Sequence, residues 1–406
     1  MNFMNDKGTL ISVKDALDIV LGESRKFGIE EIDFKLSEGR ILKEEIKADR
    51  EMPPFDRVSM DGIALKSTVF KSGKRQFKIE NIQAAGSKQL TLAHDENCLE
   101  AMTGAMLPIG TDAVVPYEQV SIVNGIAHVE VEDISYFQNI HKKGLDRQKN
   151  EVLIARNSKI SPAEIGVLAT VGKAVVKVAA LPKVAIISTG DELVDFDKTP
   201  APFQIRTSNV HTLDSLLKRF KLNADIYHIS DDKEQLRKKI SSLLKAYDVL
   251  MFSGAVSKGK FDYLPGILDE LDVQKLFHKV RQRPGKPFWF GKKDKTTFFA
   301  YPGNPVSTFV SCLKYFVPWL AKSLETDFQH ESFAILAEDF PFQPELTYFL
   351  QVKIVNTEGK LMAFPKAGNG SGDLANLSRN DGFLELPSHR TEFKKGEVFP
   401  LIQYRY

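Results

Sequence analysis

Between residues 183 and 323, continuous apolar runs alternate with amphipathic stretches, and this alternation restricts the fold more than any other feature of the sequence. KVAIIST, residues 183–189, reads as a buried strand. SNVHTLDSLLKRF then has helical spacing, NADIYHI reads as a strand, KEQLRKKISSLLKAY as a helix and DVLMFSG as a strand. DYLPGILDEL predicts a further helix, VQKLFHKV and TTFFAYPG predict strands, and NPVSTFVSCLKYFVPWLAKSL closes as a helix. Strand–helix alternation at this spacing predicts a parallel α/β sheet. Ligands of such sheets bind at the carboxyl ends of the strands, and the polar clusters of this region follow strands.

The flanking segments have other periods. LISVKDALDIVLGESRKFG places Val13, Ala16, Leu17, Val20 and Leu21 at helical spacing behind Ser12, a fitting N-cap. FKLSEGRILKEEI, residues 34–46, predicts another amphipathic helix. The two prolines of EMPPFDRVSMDGIAL mark an extended entry to an irregular segment. SPAEIGVLATVG predicts a helix with Ser161 as N-cap, Pro162 in the first helical position and Glu164 closing a capping box. The division expected is a split helical domain (1–50 and 140–182), a β-rich domain inserted in it (51–139), an α/β domain (183–327) and a β-barrel-like tail (328–406). The fold class is thus multidomain α/β plus β.

Composition removes several functions. Lys and Arg number 55 against 53 Asp and Glu, a net charge of +2, which gives no electrostatic case for nucleic-acid binding. The two cysteines, Cys98 and Cys312, are too few and too far apart for a zinc ribbon or a disulfide framework, and the histidines form no HxxxH pair. No run approaches the roughly 18 apolar residues of a spanning helix, and the opening residues lack a signal-peptide pattern, so a cytoplasmic protein is expected.

Five clusters carry chemistry. STGDEL follows a strand, and Asp191 and Glu192 there either point into a ligand crevice or cap the next helix. SGAVSKGKFDYLP supplies Ser253, Gly254, Ser257 and Gly259, small enough for backbone N–H groups to approach an anion. Asp262 then either caps a helix or holds a divalent metal beside a phosphate. RQRPGKPFWFG crowds Arg281, Arg283 and Lys286 around a Pro-Gly turn, either solvated or arranged for a tetrahedral oxyanion. YPGNPVSTF stiffens a strand-to-helix turn that carries Ser307. PPFDRVSMDGIAL places Asp56 and Asp61 in an irregular stretch, where a surface turn is the simplest alternative.

Together these motifs resemble one family, the molybdopterin molybdenumtransferases (MoeA and the gephyrin E-domain). PPFDRVSMDGIA, TGAMLPIGTDAVVPYE, NIHKKGLDRQKNEVLIARNSKISPAEIGVLATVG, ISTGDEL, SGAVSKGKFDY, RPGKPFWFG, YPGNPVS and GNGSGDLANLSRNDGFLELP follow the family's order over essentially the whole chain. The resemblance implies a homodimer with sites formed between subunits. It also implies a reaction in which molybdate and adenylylated molybdopterin give molybdenum cofactor and AMP, with Mg²⁺. By position it makes Asp61, Asp146, Glu192 and Asp262 the acidic catalytic candidates, Glu192 and Asp262 being the metal ligands. Thr103, Ser253 and Gly254 become contacts of the site wall, and Arg283, Lys286 and Ser307 molybdate contacts, with Ser371 completing that pocket. The molybdopterin adenylyltransferase and molybdoenzyme chaperones are the macromolecular partners implied. No membrane partner is expected.

The sequence departs from the family pattern where PELTYFLQV carries Leu346 and Gln351 instead of arginines, with Lys258 and Lys353 as candidates to compensate. Two competing readings are a molybdopterin adenylyltransferase, which lacks the TGA and MDG segments and the tail, and a non-catalytic scaffold on the gephyrin-type fold.

Overall fold

The structure is a computed structural model that describes residues 10–254, 256, 263–327 and 332–405. The chain forms two compact units. One contains residues 44–156 and 162–174, the other the remainder.

The larger unit opens with helix α1 (Val13–Gly22), where Ser12 Oγ accepts from Asp15 N at 3.0 Å, the expected N-cap. Its apolar stripe of Val13, Ala16 and Val20 is buried in a core shared with Phe316, Trp319 and Leu320. Each full-size aliphatic buried in this way contributes roughly 1.5–3 kcal/mol.

Residues 34–46 are not the helix their composition suggests. Only Phe34–Leu36 coil, as one 3₁₀ turn, and Gly39 has φ +82°. The adjacent Ile41 and Leu42 are both buried, and they bridge to Lys159 and Val178 respectively. Burial of both neighbours suits an extended chain between two partners, and the left-handed glycine breaks the helical phase.

The smaller unit is built on a sheet of β1 (Gly62–Leu65), β2 (Gln76–Gln83), β3 (Cys98–Ala101), β4 (Ala113–Pro116), β5 (Val120–Val123) and β6 (Ile126–Val129), in the order β4-β1-β3-β2-β6-β5. Gly62 is required there, since a Cβ would lie 2.0 Å from Val115 O. Helix α2 (Pro162–Thr170) starts at the expected proline.

The larger unit resumes with β7 (Val184–Thr189), α3 (Asn209–Lys218), β8 (Ala224–Ile229), α4 (Lys233–Leu243), β9 (Val249–Ser253), α5 (Leu264–Glu270), β10 (Gln274–His278), β11 (Trp289–Lys293) and β12 (Thr296–Tyr301). Sheet order is β8-β7-β9-β12-β11-β10. The first four strands are parallel, and β9 is buried along its whole length, as a central strand with both faces covered must be. The sheet is not parallel throughout: near the edge β11 runs antiparallel to both of its neighbours, β12 and β10. Only Asp294 and Lys295 separate β11 from β12, and Asp294 has φ +49°. A connection that short makes a hairpin and no crossover. A continuous helical rod follows as α6 (Pro305–Ser311), a π-helical turn at Cys312–Phe316 and α7 (Val317–Ser323).

The tail forms β13 (Ser332–Leu336), β14 (Thr347–Thr357), β15 (Lys360–Pro365), β16 (Gly382–Leu386) and β17 (Val398–Gln403). The long β14 pairs with β16 through residues 348–352 and with β15 through 352–357. β15 pairs β13, β13 pairs β17 and β17 pairs β16, so the strands close on themselves as a barrel. Gln282–Arg283 adds to β14 as a short parallel strand at Thr347–Tyr348.

Candidate active site

Three parallel strands end level. Ser188 lies opposite Ser253, and Ser253 opposite Tyr301. Gly254 follows β9 with φ +103°, and its N–H donates to Tyr301 O at 3.1 Å. A Cβ on Gly254 would be 3.3 Å from both Thr189 O and Thr189 Oγ1, and one on Gly303 would be 3.8 Å from Gly254 Cα. The loops after the three strands therefore meet at a crest, where the positive φ and the close approach to Thr189 reserve position 254 for glycine. Asn209, the first residue of α3, ties it together. Its Nδ2 donates to Ser253 Oγ at 2.8 Å and to Gly303 O at 2.7 Å. Sequence reasoning missed Asn209; its one signal is an amide at a helix start after a strand. Ser253 itself is buried and held by that amide.

Asp191 and Glu192 do not cap a helix. The segment after them pairs Leu193–Val194 with Ile205–Arg206, and α3 begins only after Ser208. Asp191 Oδ1 accepts from Asp231 N at 3.1 Å. The Glu192 carboxylate is exposed beside Gly190, where a Cβ would be 2.5 Å from its Oε2, and no hydrogen bond or ion pair engages it among the described residues. Asp262, Ser257, Lys258, Gly259 and Lys260 lie outside the described residues.

Beside the crest lies a cleft of about 340 Å³. Arg283, Lys286, Ser307 and Ser371 all line it, together with Asn304, Leu346, Tyr348 and Gln351. No Asp or Glu is among its lining residues, and neither Arg283 nor Lys286 has a carboxylate partner among the described residues. The Arg283 guanidinium lies 5.9 Å from the Phe342 ring centroid. Burial raises the Tyr348 hydroxyl above its ordinary value, and the positive charge of Arg283 partly offsets this.

The cationic turn is braced from beneath. Gln282 is fully buried; its Nε2 donates to Pro284 O at 3.1 Å, and its Oε1 accepts from the Tyr315 hydroxyl. A Cβ on Gly285 (φ +92°) would be 2.6 Å from Gln282 Nε2 and 2.7 Å from Ser311 Oγ. The tail fastens the other wall. Asn304 Nδ2 donates to Ser371 Oγ at 2.7 Å, and Val306 N to Ser371 O at 3.1 Å. Lys353 does not line the cleft; it pairs with Asp381 at 2.9 Å.

In the smaller unit, Asp61 and Thr103 come together. Asp61 Oδ1 accepts from Thr103 N and from Thr103 Oγ1, each at 2.6 Å, and these donors hold its carboxyl below the usual aspartate range. Asp146 Oδ1 lies 2.8 Å from His141 Nε2. Among the described residues, no group of three or more His, Cys, Asp or Glu side chains is placed to hold a metal ion, and no helix is long and apolar enough to cross a membrane.

Comparison with known proteins agrees with this layout along the chain. Residues 11–172 match the MoeA N-terminal region (domain I and II), 185–322 a probable molybdopterin binding domain, and 334–404 the MoeA C-terminal region (domain IV). A molybdopterin molybdenumtransferase of Synechocystis sp. is 39% identical over 400 residues, covering 97% of this chain and 100% of the relative. One of Staphylococcus aureus is 31% identical over 412 residues, covering 98% and 96%. The crystal structure of a molybdopterin biosynthesis MoeA protein from Pyrococcus horikoshii superposes with a TM-score of 0.82 at 28% identity, covering 98% of this chain and 100% of that one. With relatives this similar along nearly the whole length, and a strand-end crest beside a cationic cleft, the chain belongs to the MoeA family.

Proposed function

We propose that this chain is a molybdopterin molybdenumtransferase that takes molybdate and adenylylated molybdopterin to molybdenum cofactor and AMP. The observation that carries the reading is the cleft: two cations without carboxylate partners among the described residues, on a braced turn, next to a crest of closely approaching backbone. Unpaired cations on a rigid turn suit a tetrahedral oxyanion. The crest suits the nucleotide end, because Gly254 and Gly303 allow a phosphate close to the main chain. Pro302 and Asn304 line the cleft while Gly303 between them touches the crest, so one substrate can present an end to each.

Mg²⁺ is bound in enzymes by one or two carboxylates plus substrate phosphates. The unpartnered Glu192 carboxylate fits that hard-oxygen chemistry and is the group that would hold the ion, with Asp262 as its second candidate. Bound there, the ion would neutralise charge developing on the phosphate oxygens. Asp61, Thr103 and Asp146 are proposed as further contacts of the substrate. A cytoplasmic homodimer with sites completed between subunits, served by the adenylyltransferase and by molybdoenzyme chaperones, follows from the family resemblance.

The test is AMP release from adenylylated molybdopterin by the purified chain. Release that requires molybdate and Mg²⁺ is expected. Release indifferent to molybdate, or adenylylation of molybdopterin from ATP, would refute the assignment.

A further inference from the structure

The helical rod that follows β12 carries one wall of the cleft and also supports the other. Its first turn supplies Ser307 to the cleft, and a Cβ on Gly285 of the cationic turn would be 3.6 Å from Ser307 O. Further along the rod, Ser311 and Tyr315, both fully buried, meet Gln282 beneath the same turn. Three residues spaced by four do not share one face of a regular α-helix, because each step of four advances about 40°. Over 307, 311 and 315 that drift would carry the third side chain well away from the first. The π-helical turn at Cys312–Phe316 corrects it. A wider turn takes more residues to go round, so Tyr315 returns to the side that faces Gln282. The amide of Gln282 is fixed by what it meets. Pro284 O can only accept, so the atom 3.1 Å from it is Nε2, and Oε1 is left to accept from the Tyr315 hydroxyl. Nε2 also lies 3.4 Å from Ser311 Oγ. Val280 N donates to Lys286 O at 2.8 Å and closes the turn around this amide.

We propose that Gln282 and Tyr315 are positioning residues for the oxyanion: through them the rod that presents Ser307 also sets where Arg283 and Lys286 stand, and the π-turn brings the two walls into register. This rests on the oxyanion reading of the cleft. Both side chains are fully buried and their polar atoms are engaged with each other, with Pro284 O and with Ser311 Oγ, so they act through the turn and offer an anion no donor of their own. Arg and Lys side chains on a slack turn would have to be ordered at the moment of binding, together with the backbone that carries them. A turn already indexed to the opposite wall spares the backbone part of that cost, and the gain appears as affinity for the ion.

The experiment is calorimetric titration of the full chain with molybdate, well below the melting temperature of every variant. Tyr315→Phe keeps the ring 4.8 Å from that of Phe288, centroid to centroid, and removes only the hydroxyl. It should weaken molybdate binding about fivefold, the scale of one hydrogen bond. Gln282→Met, similar in length but with neither donor nor acceptor, should weaken it about tenfold. The double variant should bind no more weakly than Gln282→Met alone, because the hydroxyl acts through the amide. Phe316→Leu alters the same π-turn on the side that packs against Phe299 and Trp319. It should lower the melting temperature and leave molybdate affinity at the wild-type value. Wild-type affinity in either Tyr315→Phe or Gln282→Met, additive losses in the double variant, or an equal loss in Phe316→Leu overturns the proposal and leaves the cleft reading in place. A wild type that binds no molybdate refutes the cleft reading, and this proposal falls with it.

Discussion

The two compact units hold their charged candidate residues in opposite states. In the smaller one, Asp61 is doubly hydrogen-bonded by Thr103, and Asp146 meets His141. In the larger one, Arg283, Lys286 and Glu192 have no ionic partner among the described residues, while the groups around them are carefully paired: Gln282 with Tyr315, Asn209 with Ser253, Asn304 with Ser371. A paired carboxylate is accounted for by the turn it holds. An unpaired charge on a braced turn has no ionic contact among the described residues to account for it, and under the proposed function it is a ligand that it meets.

The sharpest test of this contrast is Glu192→Gln. The amide keeps the shape and removes the charge, so AMP release should fall by roughly a hundredfold or more. The melting temperature should hold, because no described residue bonds to that carboxylate. Full turnover in the variant would make Glu192 a solvated surface group. Next in size is Lys286→Ala, which should raise the molybdate concentration needed for half-maximal rate about tenfold, with the wild-type dependence weakening as salt is added. Equal loss of AMP affinity would show that crest and cleft are one site. Smallest is Thr103→Val, which removes one of the two donors to Asp61. The Asp61 carboxyl is depressed by those donors, so the stability it adds is present above its unfolded pKa and disappears as pH falls through the folded one. The variant should move the Asp61 titration upward, read by carboxyl NMR, and should leave neutral-pH melting nearly unchanged. An unmoved titration would mean that the hydroxyl does not hold the carboxylate.

Much of this was visible in the sequence, for particular reasons. The alternation through residues 183–323 located nearly every strand and helix of the α/β part, because strands buried on both faces have to be apolar throughout. β11 escaped because its opening residues looked like the end of a basic turn, and with it went the antiparallel edge. Residues 34–46 misled because Ile41 and Leu42 reach the core from an extended chain, with a spacing that imitates a helix. Three cleft residues, Arg283, Lys286 and Ser307, were legible as charge and hydroxyl beside Pro-Gly punctuation, and Ser371 only through the family resemblance. The amides that orient the site, Asn209 and Gln282, were not. Their partners Ser253 and Tyr315 lie 44 and 33 residues away along the chain, and an amide leaves no periodic trace.

Gln282–Arg283 is stitched as an extra parallel strand onto Thr347–Tyr348 of the barrel, and Arg281 O accepts from Thr347 N at 3.0 Å. Read as an order of events during synthesis, this separates the two ends of the site in time. The crest draws on strands and a loop that have all emerged by Asn304, whereas the arginine of the cleft waits for a template strand made later. A nascent chain halted before Thr347 would carry the crest and lack the walled cleft. Under the proposed function, incomplete or clipped copies of the protein would therefore not withdraw molybdate from solution, and retention of the oxyanion would be reserved for chains whose last barrel has closed.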